Sequence, residues 1–354
     1  MLLTPQALQD LLTNWHARRW LRDLDIVFVQ FLLDMDANAD PLVLLAAALA
    51  SHQLGRGHIC LDLDYCVAAP NDALALPPDG DYQYHKADLP SQQLSGLGLA
   101  TWLAALRQSA LVQAAGSPLL VDGNRLYLRR YRQYELNIAQ AIQTRLQETS
   151  AVADDFGEHI QALFPQQRVQ GPNWQKIACA LAARRAFAVI TGGPGTGKTW
   201  TVVRLLALLQ ATATHKLRIR LAAPTGKAAA RLTEAIRKAL PDLPANYAAE
   251  LPDQASTLHR LLGSRPGSRL FKHNTTTPLH ADVVIIDEAS MIDVEMMNAL
   301  LLALKIETRL ILLGDKDQLA SVEAGSVLGD ICQIGAQAGY SQATTTCLKN
   351  QSPL

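Results

Sequence analysis

Cysteine is scarce, with five residues in 354 and none in a paired spacing. That excludes a disulfide framework of the kind that holds small secreted domains together. Cys60 and Cys66 are six apart with no second pair to complete a zinc site, and the four suitably spaced thiolates of an iron–sulfur cluster are equally missing. Long apolar runs are absent too. The longest stretch, Pro41 to Ala50, is too short to span a bilayer and reads as a core helix. The amino terminus has neither the basic start nor the cleavage pattern of a signal peptide, so the chain is expected in the cytoplasm, away from membranes. No internal repeat or low-complexity block appears. Net charge is zero but unevenly spread: residues 1–100 hold 12 acidic and 5 basic groups, leaving 20 acidic and 27 basic in the rest. A polyanion would bind the basic portion. The acidic first third is a poor nucleic-acid surface, and reads as a protein-docking face or as a plain solvated face.

What is present is a phosphate loop. Thr191 is followed by GGPGTGKT, residues 192–199, between an apolar run (Ala186 to Ile190) and a helical pattern (Val202 to Leu209). Strand, glycine loop and helix in that order turn the G-x-x-x-x-G-K-T match into a structural expectation. Gly192, Gly193, Gly195 and Gly197, with Pro194 and Thr196 between them, let backbone N–H groups face an anion at the helix N-terminus. Lys198 would reach the β- and γ-phosphates of ATP, and the Thr199 hydroxyl would ligate Mg²⁺.

A second half lies downstream. Ala281 to Ile286 reads as a buried parallel strand, running without alternation into Asp287 and Glu288. Alone, two acids at a strand end could be an ordinary solvated turn. Paired with the phosphate loop, Asp287 is read as the Mg²⁺ ligand and Glu288 as the general base that polarises water, which points to hydrolysis beyond nucleotide binding. No further carboxylate or metal-ligand cluster suggests a nuclease.

Three more segments complete a set. Leu217–Ala223 is a strand leading into APTGKAAARL (223–232), STLHRLLG occupies 256–263, and Arg309–Leu313 leads into GDKDQLASVEAG (314–325). Upstream, Asn173-Trp174-Gln175-Lys176 opens an amphipathic helix. In wording and order these motifs resemble the RecD family of superfamily 1 DNA helicases, closely from about Asn173 to Asp330 and more weakly over the first 172 residues.

The resemblance implies roles. Gln175 would read the adenine edge, and Gln318 would sense the γ-phosphate, with Asp315 helping to position water and metal. Pro224, Thr225, Thr257 and His259 would contact single-stranded DNA, although an imidazole bonded inside the fold is an alternative for His259. Lys227 and Arg231 read as a solvated helix face. Family members are subunits of the RecBCD nuclease–helicase, with RecB and RecC as partners and single- and double-stranded DNA as substrate, moving 5′ to 3′. A truncated assembly subunit that binds ATP and partners without translocating is one alternative, because only 32 residues follow Val322 and a second RecA-like lobe of roughly 100–150 residues does not fit there; a stand-alone helicase is another.

The expected fold class is α/β: a P-loop, RecA-like parallel sheet with helices on both faces, after a mainly helical amino-terminal domain with a small β-hairpin. Residues 1–165 form that first domain, 166–335 the ATPase lobe and 336–354 an irregular tail. The prolines and glycine of 164–172 mark the boundary. Helices are expected at 4–14, 42–53, about 99–112 and 129–146, a short strand at Asp25–Val29, loop from Leu76 to Ser95, and a hairpin at 119–128 around Asp122-Gly123. Arg129 to Tyr134 is read as a helix start packed on that hairpin, in preference to a base-stacking surface.

Overall fold

A computed structural model describes residues 3–148, 153–165, 172–193, 195–248, 250–315, 318, 324–337 and 342. They divide into two compact units between Leu136 and Asn137, with 324–325 going to the first.

The first unit is mainly helical. Thr4 and Asp40 start its helices Pro5–Ala17 and Pro41–Gly55; the Thr4 hydroxyl accepts from Ala7 N–H at 3.2 Å and the Asp40 carboxylate from Leu42 N–H at 2.8 Å. Each has proline in its first turn, where no N–H partner is needed. Pro41–Gly55 is the central element, buried on every side from Leu42 to Gln53. Trp15, Trp20 and Trp102 close around the same core.

The strand expected at Asp25–Val29 is instead helix, Asp23–Met35. Its β-branched run suggested extension, but Arg22 N–H donates to the Asp25 carboxylate at 2.9 Å, and Val29 and Leu32 repeat the buried side of Asp25 at helical spacing. Tertiary burial overrides local propensity here. The stretch expected as loop from Leu76 to Ser95 contains one-turn pieces, Lys86–Asp88 and Pro90–Gln93. The helix expected over 99–112 is two, Leu99–Gln108 and Ala110–Gln113, because the Ser109 hydroxyl restarts it by accepting from Leu111 N–H.

Strands β1 (Cys60–Asp62), β2 (Leu119–Asp122) and β3 (Arg125–Leu128) form an antiparallel sheet in the order β1-β3-β2. The expected hairpin is β2–β3, with Leu119 opposite Leu128 and Gly123 turning the chain at φ +58°. β1 is too short to show a period in sequence. The helix that follows, Arg129–Gln147, starts on the hairpin as read: Arg129 donates to the carbonyls of Val112 and Leu119, and Arg132 meets Asp122 at 2.5 Å.

In the second unit β4 (Phe187–Thr191), β5 (Ile219–Ala223), β6 (Ser256–Thr257), β7 (Val283–Ile286) and β8 (Arg309–Gly314) form an all-parallel sheet in the order β4-β8-β7-β5-β6. Val283, Ile285, Ile311 and Leu313 join the core beneath the helix Lys198–Ala211. Their alternates Val284, Ile286, Leu310 and Leu312 point to the opposite face and are as fully buried. Helices flank both faces, so the strands carry no polar alternation. Phe156, Ile160, Leu163 and Phe164 also belong to this core, and Arg145 donates to Lys305 O at 3.0 Å, so packing assigns residues 137–165 to this unit.

An ion pair ties β5 to β7 at the end where both begin. The Asp282 carboxylate accepts from Arg218 backbone N–H at 2.7 Å and from its guanidinium at 2.6 and 3.0 Å. Those Arg218 bonds hold the Asp282 carboxyl well below the usual range, at about 2. Its contribution is therefore complete above an unfolded-state pKa of ~3.9 and is lost as pH falls through about 2. Because Arg218 is 57% exposed, solvent screening limits the effect. Asp282→Asn is expected to lower stability by roughly 1 kcal/mol near neutral pH in urea melts, the difference from the parent vanishing near pH ~2.

Among the described residues, no helix is long and apolar enough to cross a membrane.

Candidate nucleotide site

Parallel strands all deliver their carboxyl ends to one edge, and the sequence-predicted residues collect there. Thr191, the last residue of β4, stands beside Gly314, the last of β8. Gly192 N–H then donates to Gly314 O at 3.2 Å, so the phosphate loop begins hydrogen-bonded to the strand carrying Asp315. β7 lies on the other side of β8 and is followed directly by Asp287.

The loop needs its glycines for stated reasons. Gly195 and Gly197 have φ of +77° and +80°, the left-handed region that side chains disfavour. A Cβ on Gly197 would also lie 2.5 Å from Gln175 Nε2. Gly197 starts the helix Lys198–Ala211, whose nine consecutive buried residues, Thr201 to Leu209, anchor it in the core. Lys198 Nζ donates to Gly193 O at 3.3 Å and, more closely, to Gly192 O, folding back over the loop. Thr199 is the next residue of the helix and is half-buried. Pro194 lies outside the described residues.

Gln175 sits on the helix Trp174–Ala182, which Asn173 caps by accepting from Lys176 N–H at 3.0 Å. Its Nε2 donates to Thr196 O at 3.0 Å, fastening this helix to the loop while Oε1 keeps its acceptor capacity. A cleft of about 460 Å³ opens here, lined by Trp174, Gln175, Thr191, Gly192, Thr196 and Lys198. Trp174 was not anticipated as a site residue. It is 64% exposed although Ile177 and Ala180 of the same helix are buried. The signal was its place beside Gln175 on the polar side of an amphipathic helix.

Asp287 lies within electrostatic reach of Lys198. Burial lifts the Asp287 carboxyl above its ordinary range; the Glu288 N–H, donating at 3.0 Å, opposes that, the Glu288 charge adds to it, and the Lys198 ammonium again opposes it. Glu288 has φ +52°, a left-handed position that is uncommon for a non-glycine residue. Gly314 is closely approached by the segment after it: a Cβ there would lie 2.4 Å from Leu328 Cδ2 and 3.2 Å from Ser290 N. Asp315 is buried, and Gln318 is exposed with its N–H donating to Asp315 O at 3.3 Å.

The remaining candidates collect at the next two strands. β5 and β6 pair Ala223 with Thr257, so Pro224–Thr225 and Thr257 stand at neighbouring strand ends. Both threonine hydroxyls cap helices, accepting from Ala228 and Arg260 N–H at 3.2 Å each. An accepting hydroxyl still has its proton to donate. His259 is exposed and packs edge-on against Phe271, with ring centroids 5.8 Å apart. Lys227 and Arg231 are exposed on their helix.

Comparisons with known proteins identify what the chain is similar to. The family model described as the AAA domain matches residues 175–324, and that described as the RecBCD enzyme subunit RecD, N-terminal domain, matches 17–127. The chain is 38% identical to RecBCD enzyme subunit RecD of Haemophilus influenzae, over 95% of this chain and 56% of that protein. It is 40% identical to the RecD subunit of Mycobacterium tuberculosis, covering 87% and 50% respectively. An ATP-dependent RecD2 DNA helicase of Deinococcus radiodurans is 31% identical, over 74% of this chain and 33% of its own length. The chain thus spans about half the length of the RecD subunits it matches. With both family models met in order along the chain and the motif residues gathered on one sheet edge, this chain belongs to the RecD family.

Proposed function

We propose that the chain binds ATP with Mg²⁺ at the carboxyl edge of β4, β8 and β7, hydrolyses it, and uses the cycle to move on DNA. In this reading it is the 5′-to-3′ helicase subunit of a cytoplasmic RecBCD-type nuclease–helicase that processes double-strand breaks, with RecB and RecC as partners. The observation that carries the proposal is that Gln175 and Lys198 both bond to one glycine loop at a helix N-terminus, with the Asp287 carboxyl in electrostatic reach of the Lys198 ammonium.

The chemistry follows from the side chains. Gly193, Gly195, Thr196 and Gly197 offer N–H groups to the phosphates, and Lys198 exchanges its two loop carbonyls for phosphate oxygens. The donor set suits Mg²⁺, a hard cation that takes one or two protein oxygens beside phosphate: the Thr199 hydroxyl and the Asp287 carboxylate. A bound cation would also hold the buried Asp287 carboxyl ionised. Magnesium supplies charge neutralisation on the phosphates. Glu288, held at the strand end, takes the proton of the attacking water, and Gln318 contacts the γ-phosphate. Trp174 offers a flat face to the base and Gln175 an acceptor to its amino group. The hydroxyls of Thr225 and Thr257, with Pro224 and His259, touch DNA through its backbone, which suits movement indifferent to sequence.

The test is ATP hydrolysis by the purified chain with and without single-stranded DNA. Strong stimulation by DNA is expected. A chain that binds no ATP would overturn the proposal outright, and binding without stimulated turnover would overturn its motor half. Gln175→Ala is expected to lower the preference for ATP over GTP about tenfold in competition binding, because a base-edge hydrogen bond is lost.

A further inference from the structure

A cavity of about 950 Å³ opens in the first unit, beside the start of the helix Arg129–Gln147. Leu24, Phe28 and Leu54 contribute to its apolar wall, and three arginines, Arg22, Arg129 and Arg130, line it as well. Among the described residues no aspartate or glutamate does. Asp25, which pairs with Arg22, is fully buried, and the exposed Asp23 is engaged by His16 at 2.7 Å. Residues 1–100 hold 12 acidic groups against 5 basic, so a cavity of this unit lined by cations alone stands against its surroundings.

Two of the arginines are fixed through one edge of the guanidinium. Arg22 donates from Nε and Nη2 to the Asp25 carboxylate at 3.2 and 2.7 Å, and from Nη2 to Ser51 O at 2.6 Å. Arg129 donates from Nη2 to Val112 O at 2.9 Å and Leu119 O at 3.1 Å, and from Nε to Ser117 O. Each Nη1 has no partner among the described residues. A Cβ on Gly55 would collide with the Arg22 guanidinium, so glycine is what lets that group lie along the cavity wall. Arg130 makes no hydrogen bond or ion pair among the described residues; its guanidinium lies over the Tyr131 ring, 4.9 Å from the centroid. Guanidiniums already held in place, with donors uncommitted, suit an anion of several oxygens, because little ordering remains to be done when it binds.

The lining selects among anions. Inorganic phosphate would fill a small part of the cavity and leave its apolar wall wet. A nucleotide brings a phosphate for the guanidiniums and a flat base for Phe28, Leu54 and the stacked Arg130–Tyr131 pair. A triphosphate travels with Mg²⁺, and a lining without carboxylates offers that cation no ligand. A monophosphate needs none. We propose that this cavity binds a nucleoside monophosphate, independently of the phosphate loop.

The experiment is calorimetric titration of the purified chain with AMP in the absence of magnesium. AMP is expected to bind about tenfold or more tightly than adenosine or inorganic phosphate, since each of these lacks one half of the recognised groups. Arg130→Glu is expected to weaken AMP binding roughly 10- to 100-fold, a charge-assisted hydrogen bond giving way to repulsion, with the melting temperature of the parent. Leu24→Asp, at a position 62% exposed on the cavity wall, should weaken binding several-fold and decides the matter if Arg130→Glu disturbs folding. Arg107→Glu, at an exposed arginine outside the cavity, should leave AMP affinity unchanged, and so should Lys198→Ala. A parent chain that does not bind AMP would overturn the proposal, as would AMP binding that survives both cavity variants or adenosine binding as tight as that of AMP. Binding lost in Lys198→Ala but kept in Arg130→Glu would place AMP at the phosphate loop and overturn it too. A single-stranded oligonucleotide without a terminal phosphate that displaced AMP at equal affinity would overturn it in favour of a surface for nucleic-acid strands.

Discussion

Lys198→Ala is expected to weaken ATP binding by two to three orders of magnitude, on the order of 3–4 kcal/mol, and to abolish measurable turnover without unfolding the protein. Among the described residues the ammonium is the only side-chain cation lining the cleft at the loop, donating to Gly192 and Gly193 carbonyls until phosphate replaces them. Those carbonyls are half-buried rather than sealed, so water can take the place of the lost donor. Lys198 also opens the helix Lys198–Ala211, where a positive charge opposes the helix dipole. The nucleotide-free variant should therefore melt at the parent temperature or slightly above it, by about 0.5 kcal/mol of added stability. Thermal melts with and without MgATP separate the two effects: the parent shifts upward with ligand and the variant does not. A variant that still hydrolysed ATP at the parent rate would remove the phosphate-loop assignment.

Glu288→Gln should lower turnover by roughly 10²–10⁴-fold, the contribution of a general base, while ATP remains bound. Glutamine keeps the size and hydrogen-bonding reach of the side chain but cannot accept the proton of water. The backbone supplies a second readout. Glu288 occupies φ +52°, and relieving that position by Glu288→Gly should stabilise the protein by up to about 1 kcal/mol while removing activity. A gain in stability with a loss of turnover would show strain held for function. Rapid turnover by the glutamine variant would remove Glu288 as the base.

The residues proposed for the nucleotide site stand out in the sequence because they lie in short contiguous stretches. Gly192 to Thr199 and Asp287–Glu288 each follow an apolar run that forms a strand with nothing but its own composition to announce it. The parallel sheet was legible for the same reason: both faces are buried, so the strands show no alternation. In the first unit the signals were weaker. Asp25 to Val29 has strand-like composition, and helix won through the Arg22–Asp25 bond and the burial of Val29 and Leu32, neither visible along the chain. Ser109 divided a helix that periodicity alone would continue.

Residue types and local order were thus determined by sequence alone: a phosphate loop, an acidic strand end, threonines opening helices, and an acidic first third. Tertiary structure decided which of them meet. The strand order β4-β8-β7-β5-β6 is set by non-local hydrogen bonds; it puts β8 between the loop strand and the Asp287 strand, and Thr225 beside Thr257. It decided that Gln175 reaches the loop at Thr196, 21 residues away, and that Trp174 faces the cleft. It also left Leu24, Val27, Phe31 and Met35 outside the core, since a helix with two apolar sides can turn only one of them inward and packing against Pro41–Gly55 selects which.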